Sequence, residues 1–202
     1  MLKTLTRSLS SIMSKPKVIF VLGPPGSGKG TQCKKIAEKF SYLHLSAGEL
    51  LRNEMKDESS EHGKLIRDIL KDGGKIVPTK ITLKLLENAI KESGNDRVMV
   101  DGFPRNQENF EVWNEQMTDK TNLVFVLFLK CSQQTCTDRI LERSKTSGRS
   151  DDNIDTLKKR FNAYVELTMP VVEFYQKSGK LKAVDANEGV EQVFSEVCKL
   201  FD

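Results

Sequence analysis

Residues Gly23 to Thr31 read GPPGSGKGT, and these residue types suit the capture of phosphate. Glycines let backbone N–H groups converge on an anion with no Cβ in the way, and Lys29 adds a full positive charge. Gly23, Gly28 and Lys29 fit the spacing G-x-x-x-x-G-K, but Gly30 follows and the hydroxyl comes one place later, at Thr31. Elsewhere in the chain six arginines, Arg52, Arg105, Arg139, Arg143, Arg149 and Arg160, fall at the ends of expected elements, on nearby helix faces or in a loop. Arginine is always charged and bidentate, which matches phosphate oxygens. Together with the glycine cradle they supply cations for more phosphates than one cradle holds. That points to transfer between two phosphorylated molecules.

The elements that must position these groups can be read from apolar spacing. Val18 to Leu22 has the length and β-branched content of a buried strand. After the glycine turn, Cys33, Ile36, Ala37 and Phe40 mark one face of a helix, whose N-terminus adds partial positive charge to the cradle. Tyr42 to Leu45 is a second strand, and Ser46-Ala47-Gly48-Glu49 has capping-box spacing for the helix carrying Leu50, Leu51 and Arg52. A helix from Glu61 to Lys71 should stop at Gly73-Gly74, and Pro78 should open another with Ile81, Leu85, Leu86 and Ile90 inward, ending near Gly94. Arg97 to Val100 is a strand tipped by Asp101, the place for an acid that orders Mg²⁺.

A helix bearing Phe110, Trp113 and Met117 follows, then the most apolar strand, Leu123 to Leu129, expected at the centre of the sheet. Ser132 should cap a helix to Arg143, with Cys136 and Ile140 inward, and residues 144–152, SKTSGRSDD, should form an exposed, mobile loop. Leu157, Phe161, Tyr164 and Val165 should line a long helix that Pro170 kinks or breaks. Lys180 to Val184 is the last strand, and Val190, Val193, Phe194 and Val197 line the last helix. Five strands alternating with helices predict an α/β fold, a parallel sheet covered on both faces, with ligand at the carboxyl ends of the strands.

Bulk properties remove several function classes. At 202 residues the chain makes one domain with small inserts. Lys3, Arg7, Lys15 and Lys17, unmatched by any acid in residues 1–17, account for the whole net charge of +4. The neutral body argues against a broad nucleic-acid face, and no aromatic platform motif suggests RNA binding. The longest apolar run, Leu123 to Leu129, is far short of a membrane span. Cys33, Cys131, Cys136 and Cys198 lack zinc-knuckle spacing and read as buried free thiols in a reducing compartment, the cytoplasm or nucleus. Residues 1–17, Ser/Thr-rich with Leu2, Leu5, Leu9, Ile12 and Met13 on one helical side, read either as a disordered extension or as a mitochondrial presequence.

GPPGSGKGT, LSAGELLR (45–52), GKIVP (74–78), VDGFPRN (100–106) and SGRSDDN (147–153) resemble the nucleoside monophosphate kinase family, most closely its branch acting on UMP and CMP, over nearly all of residues 18–202. The resemblance implies a P-loop three-layer α/β/α sandwich with an acceptor-side insert at about 46–77 and a short lid at about 142–152, working as a monomer. It implies reversible, Mg²⁺-dependent transfer of the ATP γ-phosphoryl group to UMP, CMP and dCMP. Gly26, Ser27, Gly28, Lys29, Gly30 and Thr31 would hold the ATP phosphates, with Arg139 against the base, Arg143 on the phosphates and Glu188 also binding ATP. Ser46, Arg52, Gly102, Phe103, Pro104 and Arg105 would grip the acceptor; Lys75, Ile76 and Val77 would line its sugar and base. Arg149 and Arg160 would bridge donor and acceptor, and Asp101 would reach Mg²⁺ through water.

The chemistry agrees. A monophosphate oxygen is already anionic, so transfer needs positioning and charge neutralisation rather than a nucleophilic side chain or a strong base. His44 and His62 are accordingly read as structural or surface residues. Adenylate kinases share these motifs but carry Thr and Gln where this chain has Ala47 and Asn109. Asn109 and Asn106 are therefore expected to meet the polar edge of a pyrimidine, favouring UMP and CMP over AMP. The rivals are an adenylate kinase with an altered base pocket and a nucleotide-binding regulator without turnover. The presence of Lys29, Asp101 and the loop arginines opposes the regulator. The extra glycine at Gly73-Gly74 is expected to loosen the acceptor-side insert.

Overall fold

The computed structural model describes residues 15–149 and 151–201; the expectations for residues 1–14 lie outside them. The described chain runs β1 (Lys17–Leu22), α1 (Lys29–Phe40), β2 (Leu43–Ser46), α2 (Ala47–Lys56), α3 (Gly63–Asp72), α4 (Thr79–Ser93), β3 (Arg97–Asp101), α5 (Gln107–Met117) and β4 (Asn122–Lys130). It continues with α6 (Gln133–Ser147), α7 (Ile154–Ala163), a π-helical turn (Tyr164–Thr168), α8 (Met169–Lys177), β5 (Leu181–Asp185) and α9 (Val190–Cys198).

The strands form one parallel sheet in the order β2-β3-β1-β4-β5. Alternate residues of each strand face opposite sides, so the sheet builds two cores. Val18, Phe20 and Leu22 join Val100, Val126 and Trp113 on one side, with Leu86 of α4 and Val172 of α8. Ile19 and Val21 join Met99 and Leu127 on the other, with Ile36 of α1 and Val197 of α9. Residues 46–77 carry a satellite core of Leu51, Ile66 and Val77, against which Met55 and Leu85 pack.

The α/β reading and the five strands hold. The central strand is β1 rather than the more apolar β4, which lies one place from the β5 edge. Hydrophobicity ranks burial, and both strands are buried, but strand order follows from which crossovers fold over which face. α6 continues through Ser144–Ser147 to a left-handed Gly148, so the expected loop shrinks, and Asp151 and Asp152 in it are buried rather than exposed. Pro170 neither kinks nor breaks a single α-helix in mid-course. It sits in the first turn of α8, after a π turn in which Met169 N–H reaches back to the carbonyl of Tyr164. The wider turn rotates the face, leaving Val165 60% exposed and bringing Val171, Val172 and Tyr175 inward. Val190 is exposed at the start of α9, while Val193 and Val197 are buried. Cys33 and Cys136 are buried free thiols as expected, but Cys131 and Cys198 are only half-buried.

Candidate active site

A cavity of about 1020 Å³ opens along the carboxyl ends of the strands, with β2 and β3 and the loops after β1 and β5 in its wall. It exceeds the usual range of roughly 300–1,000 Å³ for a single small ligand. It meets the topological switch point, where β1 is flanked by β3 on one side and β4 on the other. Its lining holds ten cationic side chains against five carboxylates. Such an imbalance stands only where anions complete it.

After β1, Gly26 to Thr31 curl around the N-terminus of α1 and all face the cavity. Gly26 has a φ of 86°, and a Cβ there would overlap the Cys136 carbonyl in α6. Only glycine lets this loop lie against that helix. Lys29 Nζ donates to the carbonyls of Gly23 and Pro24, both at 2.9 Å, which folds the side chain back across the loop. Burial pushes the Lys29 ammonium down to about 8, against a pull upward from Asp101. Thr31 is exposed at the rim and Asp101 is buried across the floor.

The cavity gathers all six arginines, two of them, Arg139 and Arg143, from α6 and the rest from other helices and loops. Arg52 lies on α2, where Ser46 caps the helix by accepting Glu49 N–H at 3.4 Å. The expected reciprocal half of that capping box gives way, because Glu49 is drawn to Arg52 at 2.6 Å and to Arg149. Hydrogen bonding to Arg52, reinforced by Arg149, holds the Glu49 carboxyl below its usual range. Arg105 follows the cis Phe103–Pro104 bond, and its Nε donates to Gly102 O at 2.8 Å. Burial and the adjacent Arg160 push its guanidinium down to about 10. Arg52 Nε is buried with no hydrogen-bond partner. Crowded, partly unsatisfied guanidinium groups are what a phosphate dianion would relieve. On the far side Arg139 is fastened to the loop after β5, donating to Ala186 O at 2.7 Å and Glu188 O at 2.8 Å.

Two acids that sequence reasoning left without a role organise the others. Asp152 grips Arg143 bidentately at 2.8 and 2.6 Å. Burial opposes its charge, but the Arg143 bonds prevail and keep its carboxyl below the usual range. Asp151 takes Arg160 at 2.9 Å and lies 4.0 Å from Arg52. The only sequence signal was their position directly after Gly148-Arg149-Ser150. Thr168, also missed, accepts no notice in a sequence pattern, yet its hydroxyl donates to Arg105 O at 2.7 Å from the π turn.

Not every expected contact reaches the cavity. Ser46, Lys75, Gly102 and Glu188 line it. Phe103 and Val77 are buried in the cores beneath instead, and Pro104 and Ile76 are also absent from the lining. Asn106 caps α5 by accepting Asn109 N–H at 2.8 Å. Asn109 is 2% exposed; its Oδ1 accepts Arg105 N–H at 3.1 Å and its Nδ2 donates to Thr79 Oγ1 at 2.7 Å. Its amide therefore positions the Arg105 backbone, and Asn109 is not among the residues lining the cavity. Gly73 ends α3 at a φ of 74°, where a Cβ would overlap the Thr156 methyl of α7, and Asp72 lies 3.4 Å from Lys159. Far from leaving residues 46–77 loose, that glycine lets them seat against α7.

Residues 21–180 match the family described as Adenylate kinase. The chain is 49% identical to the UMP-CMP kinase of Sus scrofa over 193 residues, 93% of this chain and 98% of the relative. The UMP-CMP kinases of Homo sapiens, at 48%, and Danio rerio, at 49%, match over the same shares.

Proposed function

The chain belongs to the adenylate kinase family, and from that premise we propose that it is a phosphotransferase moving the γ-phosphoryl group of ATP to UMP and CMP, and less efficiently to dCMP. The observation that carries this reading is the convergence of Lys29 and six arginines on one cavity at the switch point. The glycine loop takes the donor's phosphates, and Arg52 and Arg105 take the acceptor's. Arg143, Arg149 and Arg160 stand between them. Their charges offset the repulsion between two polyanions and hold attacking and leaving oxygens in line.

Mg²⁺ fits the residues present. The Asp101 carboxylate and Thr31 hydroxyl are hard oxygen donors on the floor and rim of the same cavity. Bound there with ATP, the ion would neutralise phosphate charge. The ion pairs Glu49–Arg149 and Asp151–Arg52 join residues 46–77 to the loop after α6 over the cavity, an arrangement that excludes water as a competing acceptor.

The pyrimidine preference rests on the relatives' names, since the Asn109 amide is engaged inside the protein. A coupled steady-state assay across UMP, CMP, dCMP and AMP tests it. UMP and CMP should give the highest kcat/KM; AMP as the best acceptor would sink the assignment. The Gly73 seat yields a second expectation. Gly73→Ala strains a left-handed residue by about 1–2 kcal/mol and displaces the acceptor side from α7. KM for the monophosphate should rise roughly 5–30-fold, with KM for ATP nearly unchanged. Equal changes in both constants would show that Gly73 serves general stability instead.

A further inference from the structure

Behind the phosphate loop lies a trio of which only Asp101 has a part in phosphoryl transfer. Cys33 of α1, His44 of β2 and Asp101 at the tip of β3 present one ligand atom each, all within 4.8 Å of one another. His44 Nε2 is 3.6 Å from Asp101 Oδ2. That nitrogen is buried and has no hydrogen-bond partner. The Cys33 thiol is fully buried beside it. Pairing of β2 with β3, which sets Ser46 against Asp101 and His44 against Met99, holds the last two at fixed spacing. His44 and Asp101 also line the cavity, so an ion has a route in.

We propose that Cys33, His44 and Asp101 form a binding site for a thiophilic divalent metal, zinc above all, whose occupancy inhibits the enzyme. A sulfur, an imidazole and a carboxylate make a donor set that suits zinc or cobalt and not Mg²⁺ or Ca²⁺. Zinc bonds of about 2.0–2.3 Å require ligand atoms roughly 3.3–3.8 Å apart. The His44–Asp101 pair already meets that separation, and the Cys33 sulfur, within 4.8 Å of both partner atoms, has about an ångström or less to close. Cavity water takes the fourth position. Cys33 binds as thiolate, and its proton leaves to solvent through the cavity. Inhibition follows because Asp101, once bound to zinc, is lost to the Mg²⁺ of the ATP complex. The inhibitory half rests on the transferase reading; the metal site itself does not.

Cobalt titration of the nucleotide-free full chain reads the site without turnover. Wild type should bind one cobalt ion with a thiolate-to-cobalt charge-transfer band in the near ultraviolet. Cys33→Ala should abolish the band, and His44→Gln should weaken cobalt binding by at least about 10–100-fold. With excess Mg²⁺, zinc should inhibit wild type reversibly, restored by a zinc-selective chelator, while Cys33→Ala keeps its turnover and resists zinc. Absence of a band in wild type overturns the site, and needs no variant to fold. A band that survives in Cys33→Ala also overturns it, placing the metal on another cysteine. Equal zinc inhibition of wild type and Cys33→Ala overturns the inhibitory role. If no phosphoryl transfer were detected at all, the cobalt spectrum would still decide the site.

Discussion

Lys29→Met should lower kcat/KM by roughly 10²–10³, the scale of losing one preorganised electrostatic donor. Methionine keeps the unbranched stem out to Cε and removes the ammonium, so the loop retains its packing while the group that bridges the Gly23 and Pro24 carbonyls is lost. The pH dependence separates charge from shape. Burial lowers the Lys29 ammonium from 10.5 to about 8 in the folded protein without nucleotide. Triphosphate binding selects the protonated form, so wild type should bind ATP progressively more weakly as pH rises past about 8, by up to tenfold per unit. Calorimetry near pH 8 in buffers of different ionisation enthalpy should show proton uptake on binding. In Lys29→Met both the alkaline weakening and the uptake should vanish. The linkage to stability has the matching sign. Between about 8 and 10.5 the unfolded chain holds the proton that the folded chain has released, so Lys29's contribution to folding stability rises with pH across that window. An ATP affinity that is flat from pH 7 to 9.5 would contradict the role given to this lysine.

Arg149→Ala should reduce kcat by roughly 10²–10³ with little change in stability. The side chain is 29% exposed and spans from the loop after α6 to Glu49 on α2, its partner 47% exposed. Such an accessible pair contributes no more than about 1 kcal/mol to folding. Loss of activity on that scale could not then come from unfolding. Urea denaturation should give nearly the wild-type midpoint while the coupled assay shows the deficit, and Arg149→Lys should recover only part of it, because an ammonium is not a planar fork. An Arg149→Ala enzyme with unchanged kcat would remove this arginine from between donor and acceptor.

The parts of this protein written locally were legible. The cradle follows from glycine positions within nine consecutive residues, and α1 from four apolar residues at helical spacing. Ser132 caps α6 by accepting Thr135 N–H at 3.1 Å, and Gly73 and Gly94 end α3 and α4, as their residue types foretold. Each of these rests on interactions between residues a few positions apart. The arginines could be named as phosphate ligands because guanidinium chemistry does not depend on fold. The π turn was hidden because Pro170 announces a disturbance without stating which hydrogen-bond pattern absorbs it. The bonds of Asn109 to Thr79 and the Arg105 backbone were hidden because an amide suits many partners and only packing chooses among them.

By itself, then, the order of residues determined the alternation of strand and helix, the phosphate loop and the set of cations. Those depend on backbone preference and on side-chain charge, which travel with the residue. Tertiary structure alone decided that β1 takes the middle of the sheet, that Asp151 and Asp152 orient the arginines, and that Glu49 meets Arg149 across 100 positions of chain. Such pairs form only after the sheet has closed the intervening loops, and the entropy of that closure is offset by the whole core rather than by any local signal.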